Sequence, residues 1–305
     1  MPSPTEITVP QLCRLVGTPA APVIVDVCID EDFEADPHLI PGAFRHPFTT
    51  IETLVPRLAG NRAIVVCQKG RKLSQGAAAI LRTHSIPAET LEGGNLAWRN
   101  AGLPRVPVAV IPDANPRGGT RWVTRQRPKI DRIACPWLIR RFVDPQAQFL
   151  FVAPSEVEAV AERFAATPFD IEGVPWSHNG ARCTFDVMVE RFDLGFDALA
   201  NVAAIVRGAD TNRHDLAPQA AGLLALSVGL SRMIRDDLAQ LDSGMLLYDA
   251  LYRWARDGQN EGHDPELTSP SWTRQSRTHR RSPRHSGSGS RSVCSPSAAP
   301  QPRSH

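Results

Sequence analysis

Residues 67–74 read CQKGRKLS and follow the apolar run AIVV, so a single thiol stands at the end of a predicted buried strand. Three cations, one glycine and one serine follow it within seven residues. Cys67 could be an inert core thiol, a metal ligand or a nucleophile, because buried strand-end cysteines are common and the thiolate is both ligand and nucleophile.

The loop after Cys67 has the composition of an anion-binding turn. In an open parallel sheet, ligands bind beyond the carboxyl ends of the strands. A helix is predicted to start near Leu73 or Ser74, so residues 68–72 must turn sharply and present backbone N–H groups at a helix N-terminus. Gly70 allows a left-handed backbone. Positive charge from the loop cations would favour a thiolate; these cations are Lys69, Arg71 and Lys72.

A second group of chemistry-bearing residues lies in the C-terminal half, in HNGARCTFD (178–186) and RGADTNRHDL (207–216). Their spacing fits no common zinc signature, although Asp210 and His214 are four apart and could share a helix face. A metal or oxyanion site and a purely structural network of ion pairs and helix caps both remain open. The candidate ligands are His178, Cys183, Asp186, Asp210, Arg213 and His214.

Strands and helices are predicted to alternate over residues 1–104, which indicates a parallel sheet covered by helices on both faces. The strands are short and apolar without alternation, as expected for strands buried on both faces. The predicted strands are 6–9, 23–27, 63–67 and 88–91, and the predicted helices are 10–16, 49–58, 73–84 and 95–102.

Residues 105–120 contain three prolines and two glycines and are predicted to be a linker, or an arm that lies on a neighbouring domain. The second domain, 121–257, is predicted to be mainly α-helical. Ser155 and Glu158 have the spacing of a capping box. The segment 216–241 is apolar nearly all round in its first half and is predicted to be a buried central helix. The predicted helices are 136–144, 155–166, 196–209, 216–241 and 245–256.

The composition indicates a globular protein without a membrane span and with free thiols. The apolar fraction of 42% and the charged fraction of 22% are those of an ordinary globular protein. No apolar run reaches the length of a membrane span, and the first residues lack a secretory signal. The six cysteines are scattered without a CxxC pair, which predicts free thiols and a cytoplasmic location.

The C-terminal tail, 258–305, is predicted to be disordered. Residues 268–305 carry seven arginines, no lysine, no acid and eleven serines. Removing these seven charges from the net charge of +2 leaves −5 for the remainder. A mildly acidic body disfavours specific nucleic-acid binding.

The first 104 residues resemble the rhodanese family of sulfurtransferases. The resemblance rests on VIVDV (23–27), HLIPGAFRHP (38–47), the CQKGRKLS loop and LEGGNLAWRNAGLP (91–104), in the family's order. It implies an α/β fold. It also implies that Cys67 takes sulfur from a donor such as thiosulfate to form a persulfide, and then passes this sulfur to a thiol or other thiophilic acceptor. No cofactor would be required.

The resemblance also implies roles for the residues around Cys67. Asp26 matches the aspartate that supports the loop in that family. The family loop commonly ends in arginine followed by serine or threonine, whereas Lys72-Leu73 stands here, and lysine cannot make the fork-like pair of arginine. The implied cradle for the anionic substrate is Gln68, Lys69, Gly70, Arg71 and Lys72.

Residues 121–256 are similar to the C-terminal domain of the chromate-resistance protein family, through RPKIDRIACPWLIRRF, HxGxxCTFD and RGADT with DLAPQAAGL. Some members of that family carry a winged-helix DNA-binding region at the place of the rhodanese-like part. Chromate is a tetrahedral dianion, and arginine forks suit such oxyanions. The arginines considered for it are Arg132, Arg140, Arg141 and Arg213.

Three functions compete at this level. The first is a sulfurtransferase linked to chromate resistance or to chromate and oxidative stress. The second is a non-catalytic sensor that binds chromate or a metal of unknown identity. The third, a regulator that contacts DNA through the basic tail, is the least favoured, because the body is acidic and no helix-turn-helix pattern is present.

Overall fold

Short apolar strands in the N-terminal part pair in parallel in the computed structural model, which describes residues 5–115 and 118–262. They are β1 (Glu6–Ile7), β2 (Val23–Asp26), β3 (His38–Leu39), β4 (Ala43–Arg45), β5 (Ala63–Val66), β6 (Ala88–Leu91) and β7 (Val106–Pro107). Five of them form one parallel sheet in the order β1-β6-β5-β2-β4, and β3 pairs antiparallel with β7. All four residues of β5 are buried, so both faces of the sheet are covered, as predicted.

Three helices of this part begin and end within two residues of the predicted 10–16, 73–84 and 95–102. The predicted helix 49–58 is instead a 3₁₀ helix, Phe48–Leu54, followed by one short α-helical turn, and the helix Asp30–Glu34 was not predicted. Thr8 caps the first helix in a capping box with Gln11, whose side chain accepts from the Thr8 N–H. The helices are α1 (Val9–Leu15), α2 (Asp30–Glu34), α3 (Val55–Leu58), α4 (Lys72–Thr83) and α5 (Gly94–Asn100). The expectation of an α/β N-terminal region built on a parallel sheet is confirmed.

The C-terminal part is mainly helical, also as predicted, but it contains a small sheet that the sequence did not predict. Its helices are α6 (Asp131–Leu138), α7 (Val157–Arg163), α8 (Thr184–Arg191), α9 (Asp197–Asp210), α10 (Ala220–Met233) and α11 (Asp237–Arg253). Three parallel strands pair in the order β10-β8-β9; they are β8 (Arg121–Arg125), β9 (Gln148–Val152) and β10 (Thr167–Pro168).

The predicted helix over 216–241 is wrong in extent and in burial. The chain leaves the helical conformation at Ile234, and the Asp236 side chain then caps α11 by accepting from the Ala239 N–H at 2.8 Å. Only four residues of α10 are buried, while Leu226 and Met233 are 57% and 78% exposed. Residues 133–138 of α6 are instead all buried, the longest buried run within the described helices.

The predicted capping box at Ser155 is also wrong. A 3₁₀ turn, Pro154–Glu156, precedes α7, so Glu156 stands at the N-cap position and makes no side-chain capping bond. The Ser155 hydroxyl contacts the Glu156 carboxylate instead. Proline at the first position of the turn starts the helical geometry earlier than the serine would.

Residues 1–260 form one compact unit, in which the two parts share a continuous apolar core. The Gly42 N–H donates to the Phe142 carbonyl at 2.7 Å, and a Cβ added at Gly17 would meet the Phe142 ring. The predicted boundaries at 104, 120 and 257 remain predictions. Most of the predicted tail, residues 263–305, lies outside the described residues. Among the described helices, none has the length and apolar character needed to cross a membrane.

A buried ion pair ties the C-terminal helices together and yields a stability prediction. Asp249 in α11 accepts two bonds of 2.7 Å from the Arg141 guanidinium and one of 2.9 Å from the Trp137 indole N–H. We expect Asp249→Ala to lower the free energy of unfolding by about 3 kcal/mol, because it leaves the largely buried guanidinium of Arg141 without its carboxylate partner. Asp242, on the same helix, is 76% exposed and 3.6 Å from Arg140.

Asp242→Ala is therefore the matched control for this pair, with an expected change below about 0.5 kcal/mol. Urea unfolding of the full chain measures both variants. Equal destabilisation by the two substitutions would contradict a structural role for the Asp249 pair.

Candidate functional site

Cys67 lies directly after β5, at the carboxyl edge of the parallel sheet, where the sequence placed it. It is 5% exposed, and its sulfur is 3.2 Å from the Ser74 hydroxyl in the first turn of α4. The helix has twelve residues, and Arg71 at its N-cap position makes no side-chain capping bond. The thiol therefore faces the positive end of an uncapped helix, a suitable environment for an anion.

Two glycines let the Cys67 loop lie against the turn before α5. Gly70 and Gly94 have φ of +64° and +62°, in the left-handed region. A Cβ on Gly94 would lie 2.1 Å from the Cys67 carbonyl oxygen, and one on Gly70 would lie 2.3 Å from the Leu91 carbonyl oxygen. The N–H groups of Asn95 and Leu96 donate to the carbonyls of Cys67 and Gln68 at 3.1 and 3.0 Å. The loop is thus held by main-chain contacts that only glycine permits.

Asp26 supports this loop indirectly. It ends β2, is 2% exposed, and its carboxylate accepts 2.7 Å and 2.8 Å bonds from the Asn95 side-chain amide and the Cys28 N–H. Asn95 in turn donates its backbone N–H to Cys67. Burial, followed by the Asp26 carboxylate, raises the pKa of the Cys28 thiol, so this neighbouring cysteine stays protonated near neutral pH.

The other predicted cradle residues divide into two groups. Lys69, Arg71 and Lys72 are exposed around the loop, so their charges face solvent beside Cys67. Gln68 is instead half-buried and donates its side-chain amide to Asp32 at 2.8 Å. Whether these residues hold a substrate stays a prediction.

Sequence reasoning missed two residues that position the loop. Ser74 was part of the quoted motif, but its contact with Cys67 depends on where α4 begins. Asn95 follows the two glycines of LEGGN, and only the folded chain brings it to Asp26.

In the C-terminal part, four side chains from separate segments meet at one point. The His178 Nε2 atom lies 3.4 Å from an oxygen of Asp131, 3.4 Å from one of Asp170 and 3.3 Å from one of Asp210. Asp131 begins α6, Asp170 follows β10, Asp210 ends α9, and His178 lies in the loop before α8. Potential ligand atoms of Asp131, Asp170 and His178 all lie within 4.8 Å of one another, so these residues could hold a metal ion.

The protonation of this cluster reflects its burial and charge. Asp131, Asp170 and Asp210 raise the pKa of His178 to about 12. Burial, with the neighbouring carboxylates, raises the pKa of Asp131 to about 6. Burial also opposes ionisation of Asp170, but contacts with His178, Thr184 and two arginines outweigh it and lower the Asp170 pKa.

The cluster contains only part of the predicted ligand set. His178 and Asp210 are in it, and Cys183 lies beside Asp131 as the N-cap of α8, fully buried, with a thiol pKa raised by burial and by that carboxylate. Asp186 instead pairs with Arg207 at 2.8 Å.

Arg213 and His214 lie away from the cluster. Both are exposed, and Arg213 pairs with Asp215 at 2.8 Å. The expectation that Asp210 and His214 share a helix face is wrong, because α9 ends at Asp210 and Asn212 has a left-handed φ of +56°.

The arginines considered for an oxyanion all face carboxylates. The ion pairs are Arg132–Asp170 at 3.3 Å, Arg140–Asp242 at 3.6 Å, Arg141–Asp249 at 2.7 Å and Arg213–Asp215 at 2.8 Å. An oxyanion would have to compete with these partners, and its binding at any of the four stays a hypothesis.

Asp131 and Asp170 are the functional candidates that the sequence did not single out. Asp131 lies inside the quoted segment RPKIDRIACPW, where an acid before a helix suggests only a helix-terminal residue. Asp170 lies in PFDIEGV, which carries no motif. Since the four residues come from four segments, their meeting depends on tertiary packing.

The comparisons with known proteins match different parts of the chain. Residues 122–255 match the family model described as "ChrB, C-terminal domain". The chain is 32% identical over 195 residues to Protein ChrB of Cupriavidus metallidurans, an alignment covering 60% of this chain and 59% of that protein. The chain thus spans less than two thirds of this curated relative.

Solved structures similar to this chain cover about a third of its length. A rhodanese-like domain protein from Staphylococcus aureus is 31% identical, with 31% of this chain and 90% of that chain covered and a TM-score of 0.27. SSP1007 from Staphylococcus saprophyticus is 25% identical, with 32% and 96% covered and a TM-score of 0.29. Residues 122–255, less than half of the chain, are thus the part that is similar to the ChrB C-terminal domain family model.

Proposed function

We propose that the chain is a sulfurtransferase that carries sulfur as a persulfide on Cys67, in a protein that serves resistance to chromate or to the oxidative stress it causes. The observation that carries the proposal is the position of the Cys67 sulfur, 3.2 Å from Ser74 in the first turn of the uncapped helix α4. The loop that follows Cys67 carries exposed cations at positions 69, 71 and 72.

The loop supports this chemistry by stabilising negative charge. A donor such as thiosulfate is an anion, and so is the persulfide. The amides at the start of α4 and the loop cations attract both. The glycine contacts and the Asp26–Asn95 bond fix the loop, so its N–H groups need little reorganisation during the reaction.

Sulfur transfer from thiosulfate to Cys67 needs no oxidant, because one S–S bond breaks as another forms. The Cys67 sulfur attacks the sulfane sulfur of thiosulfate, a new S–S bond forms, the S–S bond of thiosulfate breaks, and sulfite leaves with its electron pair. A thiol or another thiophilic acceptor then attacks the outer sulfur and releases the cysteine. We place this activity in the cytoplasm as part of the proposal, because the cycle needs Cys67 reduced.

The direct test is persulfide formation on the full chain. The reduced protein is incubated with thiosulfate, and Cys67 should gain the mass of one sulfur atom in the intact-mass spectrum and in its peptide. Alkylation with iodoacetamide beforehand should prevent the gain. No mass gain, or a gain on another cysteine, would refute the proposal.

The second candidate function is a non-catalytic protein that binds a metal or chromate. It is favoured by one observation, the convergence of three carboxylates on His178. A rise in melting temperature with a metal ion or chromate, without any persulfide, would support this candidate over the enzyme.

A further inference from the structure

The cluster around His178 has a geometry that hydrogen bonding alone does not explain. A single imidazole N–H points in one direction and has a usual N···O distance of about 2.9–3.0 Å. Here one nitrogen stands 3.3–3.4 Å from three separate carboxylates. Asp131, Asp170 and His178 each offer one potential ligand atom within 4.8 Å of the other two, a spacing that one metal ion could bridge. Asp210 lies outside this set, 3.3 Å from His178.

Asp131 supplies an independent sign of a ligand. Its side chain is 1% exposed, and within the described chain its Oδ1 atom has no hydrogen-bond partner. Its other oxygen accepts from the N–H groups of Thr184 and Phe185 at the start of α8 and contacts His178. A buried carboxylate oxygen without a partner is costly, and coordination of a cation would satisfy it.

The charges around the cluster suit a divalent ion. Arg125 and Arg132 lie 3.1 and 3.3 Å from Asp170 and offset its charge. No lysine or arginine in the described residues pairs with Asp131 or Asp210 within 4.0 Å. His178 faces both carboxylates, so a divalent ion bound there would replace the proton of the imidazole as their positive partner. This mixture of oxygen and imidazole nitrogen suits first-row transition metals.

The surroundings orient the ligands and leave a path to them. The Thr184 hydroxyl donates to Asp170 at 2.9 Å, and the amides at the start of α8 hold Asp131, as outer contacts do in metal sites. The His178 side chain is 41% exposed and lines a cavity of about 300 Å³, together with Arg125 and Asp170. An ion could therefore enter from solvent.

We propose that Asp131, Asp170 and His178 bind one divalent first-row transition-metal ion, with Asp210 beside it as a contact of His178. The site does not involve Cys67, so the test of metal binding is independent of the test of sulfur transfer. The cluster unites three of the sequence segments that were singled out separately and adds Asp170 from a fourth.

The test uses the full chain, freed of metal with a chelator, and Mn²⁺ as the probe, because carboxylates and imidazole bind it well and thiols compete poorly. Electron paramagnetic resonance measures the loss of the free Mn²⁺ signal. We expect one equivalent to bind wild type, a ~100-fold loss of affinity in His178→Ala, and a ~10-fold loss in Asp210→Asn, because Asp210 contacts His178 from outside the ligand set. Both residues are partly exposed, so these variants should fold.

Asp215→Asn is the matched control, since Asp215 follows Asp210 closely but is exposed and paired with Arg213. It should bind Mn²⁺ as wild type does. A melting curve without metal checks folding of each variant, and wild type and the control should gain more thermal stability with Mn²⁺ or Zn²⁺ than the two cluster variants. Absence of binding to wild type at millimolar Mn²⁺ and Zn²⁺, or unchanged binding in both cluster variants, overturns the proposal.

Discussion

Cys67→Ser is expected to lower the rate of sulfur transfer from thiosulfate to cyanide by ~10³-fold or more, with the fold unchanged. Serine keeps the size and the contact with Ser74 but cannot form a persulfide. The measurement is thiocyanate production by the full chain, with far-ultraviolet circular dichroism and a melting curve as checks on folding.

Cys28→Ser is the informative control, because Cys28 follows the neighbouring strand β2 and would be the competing nucleophile. Burial and Asp26 keep its thiol protonated, so this variant should retain most of the activity. If Cys28→Ser abolished transfer and Cys67→Ser did not, the nucleophile would have been assigned to the wrong strand.

Gly94→Ala is expected to be the most damaging single-methyl change near the loop. Its Cβ would lie 2.1 Å from the Cys67 carbonyl oxygen and 2.4 Å from the Gly70 nitrogen, and its φ of +62° strains any L side chain. Because both clashing atoms belong to the main chain, the loop must move. We expect a loss of about 2–4 kcal/mol in unfolding free energy and a fall in sulfur-transfer activity.

Gly76→Ala separates this effect from the general cost of changing a glycine. Gly76 lies within α4, exposed, with nothing within 4 Å of an added Cβ. Alanine there should stabilise the protein by up to about 1 kcal/mol, because glycine is a poor helix former. Chemical denaturation of the two variants should give opposite signs; a neutral Gly94→Ala would show that the loop is not closed as described.

The N-terminal fold was predictable because its signals are local. Four of the five strands in the parallel sheet are short apolar runs, and three of the helices show their own spacing of apolar residues, so the β-α alternation could be inferred directly. Strand β4, only three residues long, was not predicted. The position of Cys67 followed from the same logic, since the carboxyl ends of parallel strands share one edge.

The C-terminal predictions failed where apolar composition was taken as burial. The segment 216–241 is apolar, but it breaks at Ile234 and exposes Leu226 and Met233. Strands β8 and β10 pair across 45 residues of chain, and no local pattern specifies such a partner.

The sequence by itself determined four strands of the parallel sheet, the position of Cys67 at their carboxyl edge and the need for Gly70 in its loop, because backbone conformation and apolar spacing are properties of neighbouring residues. Only the tertiary structure decided which polar residues act together. In the folded chain, Arg213 and His214 are exposed at the surface, and Asp131 and Asp170 lie beside His178. A cluster drawn from four segments depends on how helices and strands pack, and that packing is fixed by the whole core rather than by any one motif.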